Sequence, residues 1–278
     1  MTAVRAESRA SEPRARRRDS VERRRARQRS LRGLLGLIVF FAIWQLLFEL
    51  HQLNPLFVGS PSGMAKSLYH LFSKGTIWPD LRESGLEYVL GFGIGAGSGV
   101  VLGVLIGWFT LLDDMLDPLI AAFYATPYVA FLPLIVVWLG IGIWAKVAIV
   151  VWAAFFAVLI NTIAGVKNTP PEYLRVADSL CVSRLRVLWT VVLPSAVPYV
   201  LAGLRQSIGR GLVGVIVAEF FLASKGIGFF ITTATTTFRA DDAFAAIFIT
   251  AVVGLVLVRG VGMIERRVGR RWGMTAKS

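Results

Sequence analysis

The sequence is poor in the residues that build cross-links, metal sites and nucleotide sites. Its 278 residues include one cysteine, Cys181, and two histidines, His51 and His70. A single cysteine excludes an internal disulfide and a metal site made of several cysteines. No other potential metal ligand is spaced to pair with either histidine. Lone histidines are more often surface residues than ligands. The pattern GxxxxGK[ST] is also absent, so we expect no ATP hydrolysis by the chain itself.

Charged residues are scarce as well, at 17% of the chain, against about 25% in soluble proteins. Hydrophobic residues make up 55%, and mean hydropathy is +0.65. Several apolar runs reach the roughly 20 residues that a helix needs to cross a bilayer. We therefore predict an all-α integral membrane protein with six transmembrane helices. The predicted spans are 33–50, 85–108, 116–139, 143–165, 196–222 and 243–263.

Positive charge is concentrated at the two ends of the chain, which has a net charge of +13. Residues 1–32 are rich in arginine and low in apolar residues, which predicts a disordered cytoplasmic tail. Residues 266–278 form a second basic tail, so the transmembrane domain is predicted to cover 33–265. Both tails flank apolar runs, so the positive-inside rule accounts for the charge and places both termini in the cytoplasm. We expect lipid headgroups, and no nucleic acid, as partners of these tails.

The polar segment 166–195 interrupts the apolar runs and has its own helix signals. Pro170 and Pro171 suit a helix start before residues 172–181, and Ser183 suits the cap of a second helix that runs to Leu193 and Pro194. We predict a helix–turn–helix at the cytoplasmic face. Two interpretations remain open, a docking surface for a soluble partner and an amphipathic connector on the lipid headgroups.

The same segment resembles the loop of the permease subunit of bacterial ABC importers, in the nitrate/sulfonate/taurine-type subgroup of the binding-protein-dependent transport inner-membrane family. There the pattern is E-A-A, three residues, G, nine residues, then I-x-L-P. Here Arg175-Val176-Ala177, Cys181 and Val191 followed by Leu193-Pro194 keep that spacing. Arg175 replaces the acidic residue. Cys181 replaces the glycine and puts a tight turn in doubt, because glycine alone takes positive φ freely.

The resemblance extends from Leu56 to Trp272 and includes several short motifs. Examples are Gly59-Ser60-Pro61-Ser62, Asp117-Pro118-Leu119 and Ala218-Glu219. Glu87 and Tyr128 depart from it, since the subgroup more often has arginine and proline there. The motifs are specific for a permease and say little about the solute.

The resemblance implies transport by alternating access in the bacterial inner (plasma) membrane. Two permease chains, a homodimer, would form the path, two ABC ATPase subunits would hold ATP and Mg, and an extracytoplasmic solute-binding protein would deliver the solute. The chain itself would bind no cofactor. We expect Ala177 and Leu180 to enter a groove of the ATPase, with Asp178 and Arg184 in ion pairs at the rim. The full set of predicted coupling residues is Arg175, Ala177, Asp178, Ser179, Leu180, Cys181, Arg184, Leu193 and Pro194.

Arg210 and Glu219 lie within the fifth predicted span, where charged groups are costly and usually face a cavity or a partner. Two interpretations are open for Arg210, a cation on an anion path or an architectural pair with a carbonyl or carboxylate. Pro127 and Pro133 fall inside the third span, where proline predicts a kink. We assign Pro127, Tyr128, Arg210 and Glu219 to the translocation path or to intramembrane charge.

The expected solute is a small anion such as an alkanesulfonate, taurine or nitrate. A thiamine-precursor pyrimidine is the alternative within the same machinery. A secondary carrier driven by an ion gradient is a rival class, but it predicts acidic relays and inverted repeats, and Glu219 is the one acidic candidate we find. A membrane scaffold or channel is a further rival, and it predicts no ATPase partner.

Overall fold

The computed structural model of the protein describes residue 28 and the ranges 31–222 and 224–271. Within these residues the chain consists of helices joined by turns, without strands, as predicted for an all-α membrane protein. Most of the predicted N-terminal tail and the end of the predicted C-terminal tail lie outside the described residues.

The helices follow one another closely along the chain. They are α1 (Leu31–Glu49), α2 (Pro61–Ser73), α3 (Trp78–Trp108), α4 (Thr110–Ala125), α5 (Leu132–Leu139), α6 (Ile143–Lys167), α7 (Pro171–Ser179), α8 (Arg184–Val187), α9 (Leu193–Leu222), α10 (Ile227–Thr236) and α11 (Ala240–Arg271). A 3₁₀ turn (Tyr128–Phe131) precedes α5, and a π-helical turn (Leu188–Val192) joins α8 to α9.

Five helical stretches are long and apolar enough to cross a membrane, namely α1, α3, α6, α11 and the continuous run Arg184–Leu222. A sixth crossing exists if α4 and the stretch Tyr128–Leu139 count as one broken span. Several of these helices extend past the predicted ranges; α3, for example, begins at Trp78 instead of residue 85. The predicted ranges followed apolar runs, whereas polar residues continue the helices beyond them.

The predicted third span, 116–139, is not one helix, because the chain bends by 88° between α4 and the next helical stretch. Thr126 ends α4 in an extended conformation with ψ of 128°, which is the conformation that a following proline imposes. The kink predicted at Pro127 is therefore confirmed. The kink predicted at Pro133 is wrong, since this residue lies in the first turn of α5, where proline fits.

Helix α6 forms the centre of the fold, between α3 and α9. The glycines of α3 spaced by four residues lie against it so closely that a Cβ atom on Gly103 would lie 2.6 Å from Thr162 Cβ. On the other side, a Cβ atom on Gly203 of α9 would lie 2.8 Å from Asn161 Cβ. Small residues allow this approach, as expected where lipid supplies no hydrophobic drive for helix association. In the sequence, the spacing of Gly95, Gly99, Gly103 and Gly107 by four residues predicts such a seam, and the structure confirms it.

The short helix α2 packs on the protein. Met64 and Leu71 from its predicted apolar face are buried in a cluster with residues of α10 and α11. The Ser60 side chain accepts a hydrogen bond from Gly63 N (2.9 Å), and the Ser60 backbone N–H donates to Asp241 of α11 (2.8 Å). The spacing of Met64, Leu68, Leu71 and Phe72 predicts an amphipathic helix at the outer membrane interface. Met64 and Leu71 of this face pack against other helices, whereas Phe72 is exposed, and the interfacial position stays a prediction.

Candidate coupling loop and intramembrane polar sites

Residues 166–195, here called the helical loop, contain two helices separated by a sharp turn. Pro170 has the extended conformation that precedes a proline, and Pro171 is the first residue of α7. Ser183 occupies the cap position of α8, as predicted from its type, but its side chain makes no capping hydrogen bond. The predicted helix–turn–helix is therefore present in this structure.

The turn after α7 keeps a geometry that normally uses glycine. Cys181 has φ of +48°, in the left-handed region. The Val182 N–H donates to the Ala177 carbonyl (3.0 Å) and the Cys181 N–H donates to the Asp178 carbonyl (3.0 Å). These two bonds form a Schellman motif, which satisfies carbonyls at the end of the helix. The loss of glycine at this position therefore does not remove the turn, and the cost is a strained cysteine backbone.

Ala177 lies inside the chain, with 6% of its surface exposed. It belongs to a buried cluster with Val166 of α6, Val187, Val192 and Ala196 of α9. The hypothesis that Ala177 enters a groove of a partner is therefore wrong for this structure. The small side chain instead lets α7 pack tightly on the ends of two membrane helices.

The surface of α7 next to Ala177 is apolar and exposed, and Ala177 lies at the edge of the same groove. Tyr173, Val176 and Leu180 have exposed fractions of 58%, 58% and 71%, and their spacing of three and four residues places them on one face. They line a groove of about 500 Å³ that is closed on its other side by Val191 and Pro194. An exposed apolar face on an otherwise polar short helix is typical of an interaction surface.

The remaining predicted coupling residues surround this face. Arg175, Asp178, Ser179 and Arg184 are exposed. Leu193 and Pro194 are half-buried at the start of α9. Asp178 and Arg184 have no salt bridge within the part of the chain that the structure describes, so the predicted ion pairs with a partner stay a prediction.

Arg210 of α9 contacts Tyr124 of α4. Its Nη2 donates to the Tyr124 hydroxyl at 2.6 Å, and its guanidinium lies 4.6 Å from the centre of the same ring. The same tyrosine thus supplies both a hydrogen-bond acceptor and a cation–π contact to the guanidinium. Neither partner expected for Arg210, a backbone carbonyl or a carboxylate, is the one observed among the described residues.

Glu219 is fully buried and ties three helices together. One carboxylate oxygen accepts from the Ser84 hydroxyl of α3 (2.5 Å), and the other accepts from the Gly228 N–H in the first turn of α10 (2.7 Å). Ser84 in turn accepts from Ile227 N (2.8 Å). A carboxylate at a helix N-terminus satisfies free N–H groups and suits the helix dipole. Of the two roles predicted for Glu219, these contacts favour an intramembrane charge that holds helices together, because its oxygens are used inside the chain.

The other two path assignments lie at the break after α4. Pro127 is exposed. Tyr128 packs against the buried cluster between α5, α6 and α9 that includes Leu132 and Ile149. Arg210 thus contacts the tyrosine that precedes the break and not Tyr128.

Comparison with known proteins identifies the family. Residues 99–270 match the family described as "Binding-protein-dependent transport system inner membrane component". The chain belongs to this family. It is 32% identical over 237 residues to the "Taurine transport system permease protein TauC" of Escherichia coli K12, covering 84% of this chain and 86% of that protein.

Further similarities agree with the assignment of the chain as a permease. A "Putative aliphatic sulfonates transport permease protein SsuC" of Bacillus subtilis 168 is 31% identical over 238 residues, covering 86% of each chain. The permease also shares its fold with a chain from an amino acid ABC transporter crystal structure, with a TM-score of 0.58 and 19% identity. That match covers 70% of this chain and 95% of the other.

The permease also contains a buried charge cluster that we did not predict. Lys146 of α6 forms salt bridges with Glu87 and with Glu83 of α3 (3.3 Å for Glu83), and both Glu87 and Lys146 are buried. Glu87 and Lys146 lie within the predicted spans 85–108 and 143–165, and Glu83 lies four residues before Glu87. A charged residue in a membrane helix is expected to have a partner. The sequence did not show that the packing of α3 on α6 brings these three charges together.

Proposed function

We propose that the permease forms half of the path of an ATP-driven importer, as a homodimer with two ABC ATPase subunits and an extracytoplasmic solute-binding protein. ATP and Mg would bind to the ATPase subunits and not to this chain. Both termini would lie in the cytoplasm, because the arginine-rich ends flank the outermost apolar helices. The helical loop would then face the cytoplasm, where the ATPase subunits are.

The observation that carries this proposal is the exposed apolar face of α7, formed by Tyr173, Val176 and Leu180. In isolation this face exposes apolar surface to water, and a partner surface would bury it. Beside this face, Ala177 of the same helix packs against the ends of α6 and α9. A movement of the ATPase would therefore be transmitted to two membrane helices and not absorbed by a flexible loop.

The proposed solute is a small anion of the alkanesulfonate or taurine class, or nitrate. The relatives named for taurine and aliphatic sulfonates support this choice, as does a cationic side chain, Arg210, within a membrane helix. A thiamine-precursor pyrimidine is the alternative solute.

The proposal is tested by purifying the tagged permease from its native membrane and measuring which ATPase co-purifies. Leu180→Glu places a carboxylate in the centre of the proposed interface. We expect it to lower the amount of bound ATPase about tenfold or more, since a desolvated unpaired charge costs several kcal/mol. Leu56→Glu, at another exposed leucine outside the helical loop, is the matched control. Equal ATPase recovery with both variants would contradict the proposal.

A further inference from the structure

Four polar side chains from three helices meet on one side of the membrane-spanning core. Gln206 and Arg210 lie one turn apart on α9, Asn161 lies on α6, and Tyr124 lies at the end of α4. Gln206 is exposed and the other three are half-buried. All four belong to apolar helices of membrane length or to the broken span.

Such a face is unsuitable for contact with lipid. Amide and guanidinium groups in hydrocarbon lose hydrogen bonds to water, and the cost is high for a charged group. Within the described part of the chain no carboxylate forms a salt bridge with Arg210. Its observed partner, the Tyr124 hydroxyl, is neutral, so the positive charge remains uncompensated. A polar environment suits this face better than lipid does, and its positive charge attracts anions.

The hydrogen-bond directions leave donor groups for a ligand on Arg210, Tyr124 and Gln206. Tyr124 accepts from Arg210 (2.6 Å), so its own O–H is free to donate toward a ligand. The Asn161 amide nitrogen donates to the Ala157 carbonyl (2.7 Å) and to Gln206 Oε1 (3.0 Å). The contact with the Ala157 carbonyl fixes the orientation of the Asn161 amide. Gln206 thus uses its acceptor within the chain and keeps its NH₂ group for a ligand.

We propose that Arg210, Tyr124 and Gln206 form an intramembrane binding site for a solute that carries an oxyanion group, such as a sulfonate. Arg210 supplies the charge and two parallel donors, the geometry that suits oxyanions. Tyr124 orients the guanidinium and adds a donor. Gln206 lies about 6 Å further along α9, toward the helical loop, and receives the anion as it moves along the helix. This inference rests on the proposed transport function and specifies its solute class.

The test is a titration of the purified permease–ATPase complex with ethanesulfonate, by isothermal calorimetry, with neutral ethanesulfonamide as the uncharged analogue. Arg210→Gln removes the proposed charge. We expect it to weaken ethanesulfonate binding about 10- to 100-fold, the range for a charge-assisted hydrogen bond. Arg210→Lys keeps the charge and should weaken binding less. Arg205→Gln, on the same helix and in a salt bridge to Glu265 (3.7 Å), is the matched control and should bind as the unmodified complex does.

Gln206→Glu is a second, independent test of the site. It keeps the size of the side chain and replaces the donor group with a negative charge. It should weaken ethanesulfonate binding more than ethanesulfonamide binding. The inference is overturned if the unmodified complex does not bind ethanesulfonate, or if Arg210→Gln and Gln206→Glu bind it as tightly as Arg205→Gln. The amount of ATPase in each preparation is measured in parallel. Retained ATPase with unchanged anion affinity would reject the site and leave the proposed function intact.

Discussion

The helical loop exposes apolar side chains, whereas the opposite end of α6 buries charged ones. The loop exposes Tyr173, Val176 and Leu180 to solvent. At the other end of α6, the chain buries Lys146 and Glu87 among apolar helices. The exposed apolar face lacks a partner in the described chain, whereas the buried charges find theirs within it. The contrast separates the surface that we propose binds another protein from a charge network within the fold.

Arg210 lies between these two regions and belongs to neither class. It is charged and within a membrane helix, like Lys146, yet its observed partner is a neutral hydroxyl. Glu219 has the opposite character, because both of its oxygens accept hydrogen bonds from the protein. Two charged residues of one helix thus have different surroundings: Glu219 is held by the protein, whereas Arg210 is the residue that we propose binds a ligand.

The largest loss of stability is expected when Lys146, the central residue of the buried charge cluster, is replaced. Lys146→Met leaves Glu87 buried without its counter-charge, and removal of one partner of a buried pair costs about 3–5 kcal/mol. We expect a large drop in the thermal unfolding midpoint of the purified permease. The double variant Lys146→Met with Glu87→Met should recover most of that loss. An unchanged midpoint for Lys146→Met alone would show that the cluster is not structural.

The glycine seam connects both ends of α6 and gives the second largest effect. Gly103→Leu would force side-chain atoms against Thr162 and the Leu159 carbonyl. We expect a loss of about 3 kcal/mol, since backbone atoms of α6 cannot yield easily to overpacking. Gly97→Leu is the control on the same helix, because nothing lies within 4 Å of the added Cβ. The two purified variants are compared by thermal unfolding, and equal midpoints would argue against a close seam.

Glu219→Gln sharpens the distinction between Glu219 and Arg210. The amide retains one acceptor and loses the other, so Ser84 or Gly228 N loses its partner, at a cost of about 2 kcal/mol. We expect lower thermal stability with unchanged relative affinity for ethanesulfonate and ethanesulfonamide. Normal stability with an altered solute preference would instead indicate that Glu219 lines the solute path.

The smallest expected effect has the opposite sign. Cys181→Gly relieves a positive φ and should stabilise the turn by about 0.5–1 kcal/mol. Cys181→Ala is the control, because alanine keeps the same backbone strain. The thermal midpoint should rise for glycine and not for alanine. A fall for glycine would mean that the cysteine side chain contributes contacts that outweigh the strain.

Features that depend on local sequence were predicted from it. The helical class, the glycine seam and the break at Pro127 follow from run length, spacing and proline chemistry. The helix–turn–helix of the loop follows from Pro171 and from the residue type at position 183. Each of these depends on residues within a few turns of one another.

Features that depend on the packing of distant helices were missed. The pairing of Lys146 with Glu87 requires the register of α3 on α6. The contact of Arg210 with Tyr124 requires the placement of α4 beside α9, which run length and spacing do not show. The burial of Ala177 follows from the seating of α7 on α6 and α9, whereas the family pattern indicated only that the alanine position matters.

The most direct test of docking through α7 is site-specific photo-crosslinking in intact cells. A photoreactive phenylalanine analogue is placed at Val176, and mass spectrometry identifies the adducts. The same analogue at Phe57, an exposed side chain outside the loop, serves as the control. We predict an adduct between position 176 and an ABC ATPase subunit, and none from position 57. A properly inserted permease that gives no ATPase adduct from position 176 would contradict the account.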